Sequence, residues 1–312
     1  MTNPVPDFAA IEAAAARIAP HAQRTPVLRS RTLDALAGAQ LYFKCEHLQR
    51  TGAFKFRGAC NAVWSLDEDE ARHGVVTHSS GNHGAALALA ARTRGIAAHV
   101  VVPEGAVKAK LDAIAAYGAT LHACAATTAA REQAAAQVQA QTGATLVHPY
   151  TDPRVIAGQG TAALELFDEV GALDALIAPV GGGGLIGGSS IAAHALDPAV
   201  ALYAAEPSGA ADAFESLRRG ARVTDIIPDT ICDGLRATIG EINLALLRRH
   251  AVQVLPVDDT ATIAAMKLLW QRLKQLVEPS SANVLAAVLA NPQRFAGRRV
   301  GVILSGGNVD PS

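Results

Sequence analysis

At 312 residues the chain is long enough for two domains and a large buried core. Half of its residues are hydrophobic and only 4% aromatic, so that core is expected to be built from alanine and aliphatic side chains, as suits helices packed on a sheet. A formal charge of −1 without a lysine- or arginine-rich block argues against nucleic acid and anionic membranes as partners, and no run of about 18 apolar residues signals a membrane span.

Asp7 and Glu12 sit in an alanine-rich N-terminal pattern without a basic start or an apolar leader core, so a cytoplasmic protein is expected. Phe8 to Ala19 predicts an amphipathic helix with Ile11, Ala15 and Ile18 on one side, stopped by Pro20. Thr25 to Leu28 reads as an extended entry and Leu41 to Glu46 as an alternating strand. That strand leads into Thr51-Gly52-Ala53-Phe54-Lys55-Phe56-Arg57-Gly58, where a lysine stands between two phenylalanines at the start of a helix predicted over Phe56 to Ser65. Two readings of Lys55 are open. Its stem packs while its head stays in water, or the amine is desolvated, its pKa falls, and it becomes the nucleophile toward an aldehyde that a Schiff-base lysine must be. Gly58, one turn on, permits close packing or close approach by a ligand.

Gly74 to His78 predicts a buried strand, and Ser79-Ser80-Gly81-Asn82-His83-Gly84 the loop that opens a helix from Ala85 to Thr93. Small hydroxyls, an amide and free backbone N–H groups at a helix N-terminus favour an anion, although an ordinary cap uses the same residue types. Beside a reactive lysine the loop becomes a site for a substrate carboxylate. Strands Ala97 to Val102, Ala119 to His122 and Ala144 to His148 alternate with helices Lys108 to Tyr117 and Ala129 to Thr142, a compact module in itself. From Asp152 follow helix Ile156 to Val170, strand Asp174 to Val180, helix Leu185 to Ala195, strand Val200 to Ala205, helices Thr260 to Leu276 and Ser281 to Leu289, and strand Arg299 to Leu304. Alternation of this kind implies mostly parallel sheets covered by helices. Cys45, Cys60, Cys124 and Cys232 are far apart and form no CxxC pair, so they are expected reduced and mostly buried.

Gly181 to Gly184 lie between a strand and a helix, where consecutive backbone N–H groups converge on an anion and side chains would block it. Which phosphate is ambiguous. Gly182-Gly183-Gly184-Leu185-Ile186-Gly187 also fits G-x-G-x-x-G, and Glu206 ends the next strand where a Rossmann fold holds the cofactor ribose. A nicotinamide dehydrogenase is the competing reading, yet it gives Lys55 and the Ser80 loop no joint role. A non-catalytic amino-acid sensor predicts the same loops and differs only in chemistry.

Taken in order, the Lys55 stretch, His78 to Gly84, Pro179 to Gly188 and Ser305-Gly306-Gly307-Asn308 resemble the threonine dehydratase and serine racemase family of fold-type II pyridoxal phosphate enzymes, from about Thr25 to Asp310. The resemblance implies a two-domain α/β fold like that of tryptophan synthase β, with mostly parallel twisted sheets covered by helices. It divides the chain into a discontinuous large cofactor-binding domain, residues 1–73 and 152–312, and a small substrate-gating domain, residues 74–151. It makes Lys55 the Schiff-base lysine, Phe54 its neighbour against pyridoxal 5'-phosphate, and Asn82 the partner of the ring's phenolic oxygen. Gly181, Gly182, Gly183, Gly184 and Leu185 become the phosphate loop, and Ser305 the residue facing the pyridine nitrogen. Ser79, Ser80, Asn82 and His83 hold the substrate carboxylate, while Ser80 matches the serine that faces the lysine as second base in racemising members.

Glu206, the Ala210 carbonyl and Asp212 resemble the family's cation loop, a donor set suited to magnesium, manganese or calcium. Arg131 aligns with an arginine at the active-site entrance, able to read a second carboxylate, though a solvent-facing helix arginine is the plainer reading. The implied activity is that of a dehydratase, or ammonia-lyase, turning serine or threonine into a 2-oxo acid and ammonia. Serine racemisation is an accompanying activity, 3-hydroxyaspartate an alternative substrate, and a homodimer the expected assembly. Ala53, Tyr150 and Ala237 depart from residues common in the family, and they put the substrate more than the chemistry in question.

Overall fold

The computed structural model describes residues 5–309; residues 1–4 and 310–312, at the outer ends of the expected large domain, lie outside the described residues. The strands are β1 (Val27–Leu28), β2 (Gln40–Cys45), β3 (Val75–His78), β4 (Ala98–Pro103), β5 (Thr120–Cys124), β6 (Thr145–Leu146), β7 (Ala175–Pro179), β8 (Ala201–Pro207), β9 (Gln253–Val257) and β10 (Arg299–Leu304). They form a six-stranded sheet in the order β1-β2-β10-β7-β8-β9 and a four-stranded sheet in the order β5-β4-β3-β6. Every pairing is parallel except that of β1 with β2.

The helices are α1 (Phe8–Ile18), α2 (Arg31–Ala37), α3 (Lys55–Trp64), α4 (Glu68–His73), α5 (Asn82–Arg94), α6 (Lys108–Ala116), α7 (Thr128–Thr142), α8 (Pro153–Val170), α9 (Gly184–Leu196), α10 (Asp212–Arg219), α11 (Glu241–Arg249), α12 (Asp259–Leu268), α13 (Pro279–Ala290) and α14 (Pro292–Phe295). Helices α1, α8 and α9 on one side and α2, α12 and α13 on the other cover both faces of the large sheet, which is why its central strands read as continuous apolar runs, while α5, α6 and α7 pack on the small sheet. Leu176 and Ile303 enter the core that holds Ile11, Ile156, Leu166 and Ile186. Their strand neighbours Ile177 and Val302 point the other way, into the core of Leu33, Phe43, Leu269 and Leu285. Each fully buried Leu or Ile contributes roughly 1.5–3 kcal/mol, so the two cores hold the sheet as the rigid body of the molecule.

The helix starts divide into two kinds. Side chains of Asp7, Ser30, Thr127, Asp152 and Asp258 accept a hydrogen bond at the beginnings of α1, α2, α7, α8 and α12, and Asp67 with Glu70 forms a capping box on α4. The other eight have no side-chain cap, and four of these, α3, α5, α9 and α13, begin around one place.

Helix α3 is fixed from behind. Buried Arg57 donates from Nε to Glu46 (2.7 Å) and from Nη1 to Glu165 of α8 (2.7 Å), and Lys44 of β2 donates to Glu165 (2.7 Å). Gly58 meets Gly158 of α8 so closely that a Cβ on Gly158 would lie 2.6 Å from the Gly58 Cα. The glycine after Lys55 therefore serves helix packing, and the lysine emerges at a determined point.

Several expectations change. Ala14, not Ala15, completes the buried stripe of α1. The long helix expected over Thr260 to Leu276 ends at Leu268, widens into a π turn over Leu269–Leu273 and stops at Lys274, which takes a φ of +62°. Helices α2, α4, α10, α11 and α14 and strand β9 lie in stretches where no element was expected, being short or polar. All four cysteines are free; Cys45, Cys60 and Cys232 are buried and Cys124 half-buried. Among the described residues no helix is long and apolar enough to cross a membrane.

Candidate active site

Strand β10, the last in sequence, lies between β2 and β7. The C-terminal ends of these three neighbours therefore deliver the Lys55 stretch, Ser305 and the glycine loop to one crevice, the general position of ligands in parallel sheets. Backbone bonds tie two of the arrivals together. Phe54 N donates to Ser305 O (2.9 Å), Gly307 N to Gly52 O (2.9 Å), and Ala53 bridges Gly306. From the small sheet, β3 leads into the Ser79 to Gly84 loop and β6 into His148 to Thr151.

Lys55 is half-buried, and its Nζ donates to the Pro149 carbonyl at 3.0 Å. The ammonium lies 5.1 Å from the centre of the Phe54 ring, whereas Phe56 turns away into the core with Cys60 and Val63, beneath Arg50. Only one of the flanking phenylalanines thus acts on the amine. Burial brings the Lys55 pKa down to about 8, with Glu278 pulling the other way, so the neutral amine is far more accessible than in a solvated lysine.

The glycine loop is buried throughout, and among the described residues nothing accepts from the amides of residues 181 to 185. Buried N–H groups left unbonded each cost about 1–3 kcal/mol, and at the start of α9 the helix dipole adds to their pull on an anion. Side chains have no room there. A Cβ on Gly181 would lie 2.9 Å from Leu235, on Gly182 2.3 Å from the Tyr150 ring, and on Gly183 2.7 Å from Asn243, while Gly183 also takes a φ of +91°. Asn243 Nδ2 ties the Gly182 and Tyr150 carbonyls together (2.7 Å each), which holds the loop open toward the crevice. Lys55 and this cradle fit an aldehyde that carries a phosphate.

Ser79 and Ser80 are half-buried on the loop before α5, and Ser79 Oγ accepts from Gly81 N at 3.4 Å. A Cβ on Gly84 would lie 2.1 Å from the Ser79 carbonyl, so a glycine is needed for the loop to close over the helix start. Among the described residues the amides of Asn82, His83 and Gly84 have no acceptor. Asn82 Nδ2 donates to both oxygens of Glu278 (3.1 and 3.2 Å), and its Oδ1 accepts from Asn308 (2.9 Å). His83 is buried against the Val147 carbonyl (3.4 Å), its pKa held well below the usual histidine value by burial first and the Lys55 charge second. Ser305 is buried at the end of β10.

Other polar groups, not foreseen as a set, complete the wall. His148 stands edge-on to His78 (5.0 Å between ring centres) and to Tyr150 (4.6 Å). Burial, then His78 and Lys55, pushes His148 down to about 3, and burial followed by the Arg131 charge lowers His78. Arg131 is half-buried; it reaches Thr128 at 3.3 Å, and among the described residues its buried Nε has no acceptor. Glu278 has no motif around it, and only the fold brings it beside Lys55.

Glu206 and Asp212 lie on the β8–α10 connection, on either side of the buried Ala210. Glu206 accepts from the amides of Ala213 (2.8 Å) and Phe214 (2.9 Å), and Asp212 from that of Ile239 (2.7 Å). Burial raises Glu206 to about 8 and Asp212 to about 6. Both Glu206 oxygens face α10, which leaves a nicotinamide reading without its ribose carboxylate. Among the described residues no cluster of three or more His, Cys, Asp or Glu could hold a metal, so a cation here would need the Ala210 carbonyl and water beside the two carboxylates.

A family model described as pyridoxal-phosphate dependent enzyme matches residues 18–306. The chain is 48% identical over 306 residues to the beta-hydroxyaspartate dehydratase of Paracoccus denitrificans (strain Pd 1222), covering 98% of this chain and 97% of that protein. It is 48% identical over 309 residues to the serine racemase of Arabidopsis thaliana, covering 97% and 93%. Among solved structures, maize serine racemase is similar with a TM-score of 0.96 at 45% identity, covering 99% of this chain and 95% of that one.

Proposed function

The chain belongs to the pyridoxal-phosphate dependent enzymes, and from that premise we propose that it is a dehydratase, or ammonia-lyase, converting a 3-hydroxy amino acid into a 2-oxo acid and ammonia. The observation that carries the reading is a half-buried amine with its pKa near 8, in one crevice with a run of buried, unbonded glycine amides. Bound pyridoxal phosphate supplies an aldehyde that bonds covalently to amines and a ring that draws electrons from the bonds of the attached α-carbon.

The residues divide the work. Gly181 to Leu185 hold the phosphate by their amides, while Phe54, Asn82 and Ser305 line the ring. The hydroxyls of Ser79 and Ser80, with Asn82, His83 and the free amides that open α5, take the substrate carboxylate. As a neutral amine, Lys55 Nζ would take the proton from the substrate α-carbon as general base. The β-hydroxyl leaves as water, one water re-enters, and ammonia departs, so serine gives pyruvate and threonine gives 2-oxobutanoate. Ser80 Oγ, as a second proton carrier on the opposite side, adds racemisation.

A second reading, 3-hydroxyaspartate as the preferred substrate, is favoured by Arg131, whose unbonded Nε lies in the wall formed with His78, His148 and Tyr150. Three further parts belong to the proposal. Residues 74–151 act as a small gating domain on a large domain made of the two flanking segments. A divalent cation binds Glu206, the Ala210 carbonyl and Asp212. The enzyme works in the cytoplasm as a homodimer, for which the exposed Trp270 and Leu276 offer apolar surface; a sedimentation mass of one chain would refute that assembly.

The test is a panel of L- and D-serine, L-threonine and the 3-hydroxyaspartates, given to protein loaded with pyridoxal phosphate, with keto acid, ammonia and enantiomer measured separately. Keto acid and ammonia in equal amounts from at least one substrate, abolished in Lys55→Ala, are expected. Turnover that survives Lys55→Ala would refute the reading.

A further inference from the structure

Glu278 is 4% exposed and stands at the cap position of α13, yet its carboxyl does not cap that helix; the amides of Ser281 (2.9 Å) and Ala282 (3.1 Å) donate to its backbone carbonyl instead. The side chain turns toward the crevice. There its oxygens accept from Asn82 Nδ2 (3.1 and 3.2 Å) and from the Asn308 amide (3.2 Å). Asn308 closes the circuit, since its Nδ2 donates to Asn82 Oδ1 (2.9 Å) and to the Thr51 carbonyl (2.7 Å).

These bonds permit one orientation of Asn82. Turned over, its carbonyl would face a carboxylate and its NH2 would face an NH2, two repulsions in place of attractive contacts. Gly306 makes room for the arrangement, because a Cβ there would lie 2.6 Å from Glu278 Oε1. Three segments far apart in sequence, the Asn82 loop, the start of α13 and the Ser305 to Asn308 end, are thereby knotted beside Lys55. Burial raises the Glu278 pKa to about 7, with Asp233 adding to the rise and the Asn82 and Asn308 bonds and Lys110 opposing it, so the group is a carboxylate above neutral pH, where it faces the Lys55 charge. His83 and His148 face Lys55 from the small sheet.

We propose that Glu278 is a positioning residue for the Lys55 chemistry: its carboxylate, held between Asn82 and Asn308, fixes the Asn82 amide in one orientation and supplies the counter-charge for the nitrogen at Lys55. The proposal rests on Lys55 being the cofactor lysine. Its action runs through hydrogen-bond polarity, so exchanging the polarity of the pair is a sharper probe than truncation. In the double variant E278Q/N82D the glutamine NH2 donates to the new carboxylate, and the glutamine carbonyl accepts from the Asn308 amide. Asn308 Nδ2 still finds an oxygen at position 82. All of these bonds but the second between positions 82 and 278 are rebuilt, with the charge moved one residue along.

The experiment measures the dissociation constant of pyridoxal phosphate for the apoprotein and the midpoint of the pH titration of the bound visible chromophore. It compares wild type, E278Q, N82D and E278Q/N82D. Each single variant is expected to bind about ten-fold or more weakly, the effect of losing a charge-assisted hydrogen bond. E278Q is expected to move the midpoint to lower pH, because a nearby carboxylate favours the protonated form of the nitrogen. The double variant should bind more tightly than N82D, since E278Q removes the repulsion between two carboxylates, without regaining wild-type affinity because position 82 has lost the NH2 that lines the ring; with the charge kept beside Lys55 it should recover the midpoint. A midpoint that E278Q leaves in place, or that the double variant does not recover, would overturn the proposal. If E278Q does not fold, a double variant that folds but still binds no better than N82D overturns it equally. Wild-type apoprotein that binds no pyridoxal phosphate would instead refute the cofactor reading.

Discussion

Arg131 presents a buried Nε with no acceptor among the described residues, on a side chain whose charge reaches His78 and Tyr150. A substrate with a second carboxylate would satisfy it and a substrate ending in a hydroxyl or methyl would not, so the residue should separate substrates rather than govern chemistry. Arg131→Ala is expected to raise KM for 3-hydroxyaspartate by about 10- to 100-fold, the loss of a charge-assisted contact, and to leave KM for serine within a few-fold. Arg131→Lys should recover little, because an ammonium cannot reproduce the guanidinium fork. Equal losses for both substrates would contradict this role. At the same scale, Lys55 was legible because a lysine beside an aromatic ring, near serine and glycine loops, is chemically unusual. Glu278 and His148 were not: an acid before a helical proline reads as an ordinary cap, a histidine at a strand end as packing, and only the approach of the two sheets gives either a partner.

The elements that matter most are the uncapped helices that open on the crevice. Helices α5 and α9 carry free amides into the crevice, and the second of these was readable because four glycines between an apolar strand and an apolar helix have few other uses. Helix α10 was not readable, since its polar stretch shows its purpose only once Glu206 is seen bonded to its first turn. In that β8–α10 connection two buried carboxylates, both raised by burial, lie with the Ala210 backbone between them in sequence. A cation placed there offsets their desolvation, and binding to the folded state alone stabilises by mass action. Magnesium, manganese or calcium at a hundred-fold excess over Kd is expected to contribute about 2.7 kcal/mol and so to raise Tm by a few degrees. Chelator should reverse the rise and Asp212→Asn should remove it; a Tm indifferent to all three ions would refute the site.

In the molecule as a whole, the alternation of strands and helices announced parallel sheets, but the order of strands stayed hidden. Nothing local says that β10, arriving after some 250 residues of intervening chain by the usual logic of crossover connections, inserts between β2 and β7, yet that insertion brings Ser305 and Asn308 to Lys55. The two sheets then meet through the Lys55–Pro149, Asn82–Glu278 and Lys110–Asp233 contacts, so the active site is assembled across them. The most direct measurement is reduction of the pyridoxal-phosphate-loaded protein with borohydride, followed by mass mapping of its peptides. A phosphopyridoxyl group on the peptide that contains Lys55, absent in Lys55→Ala, is the predicted result. The same adduct on another lysine, or no adduct in a protein that still turns over substrate, would contradict it.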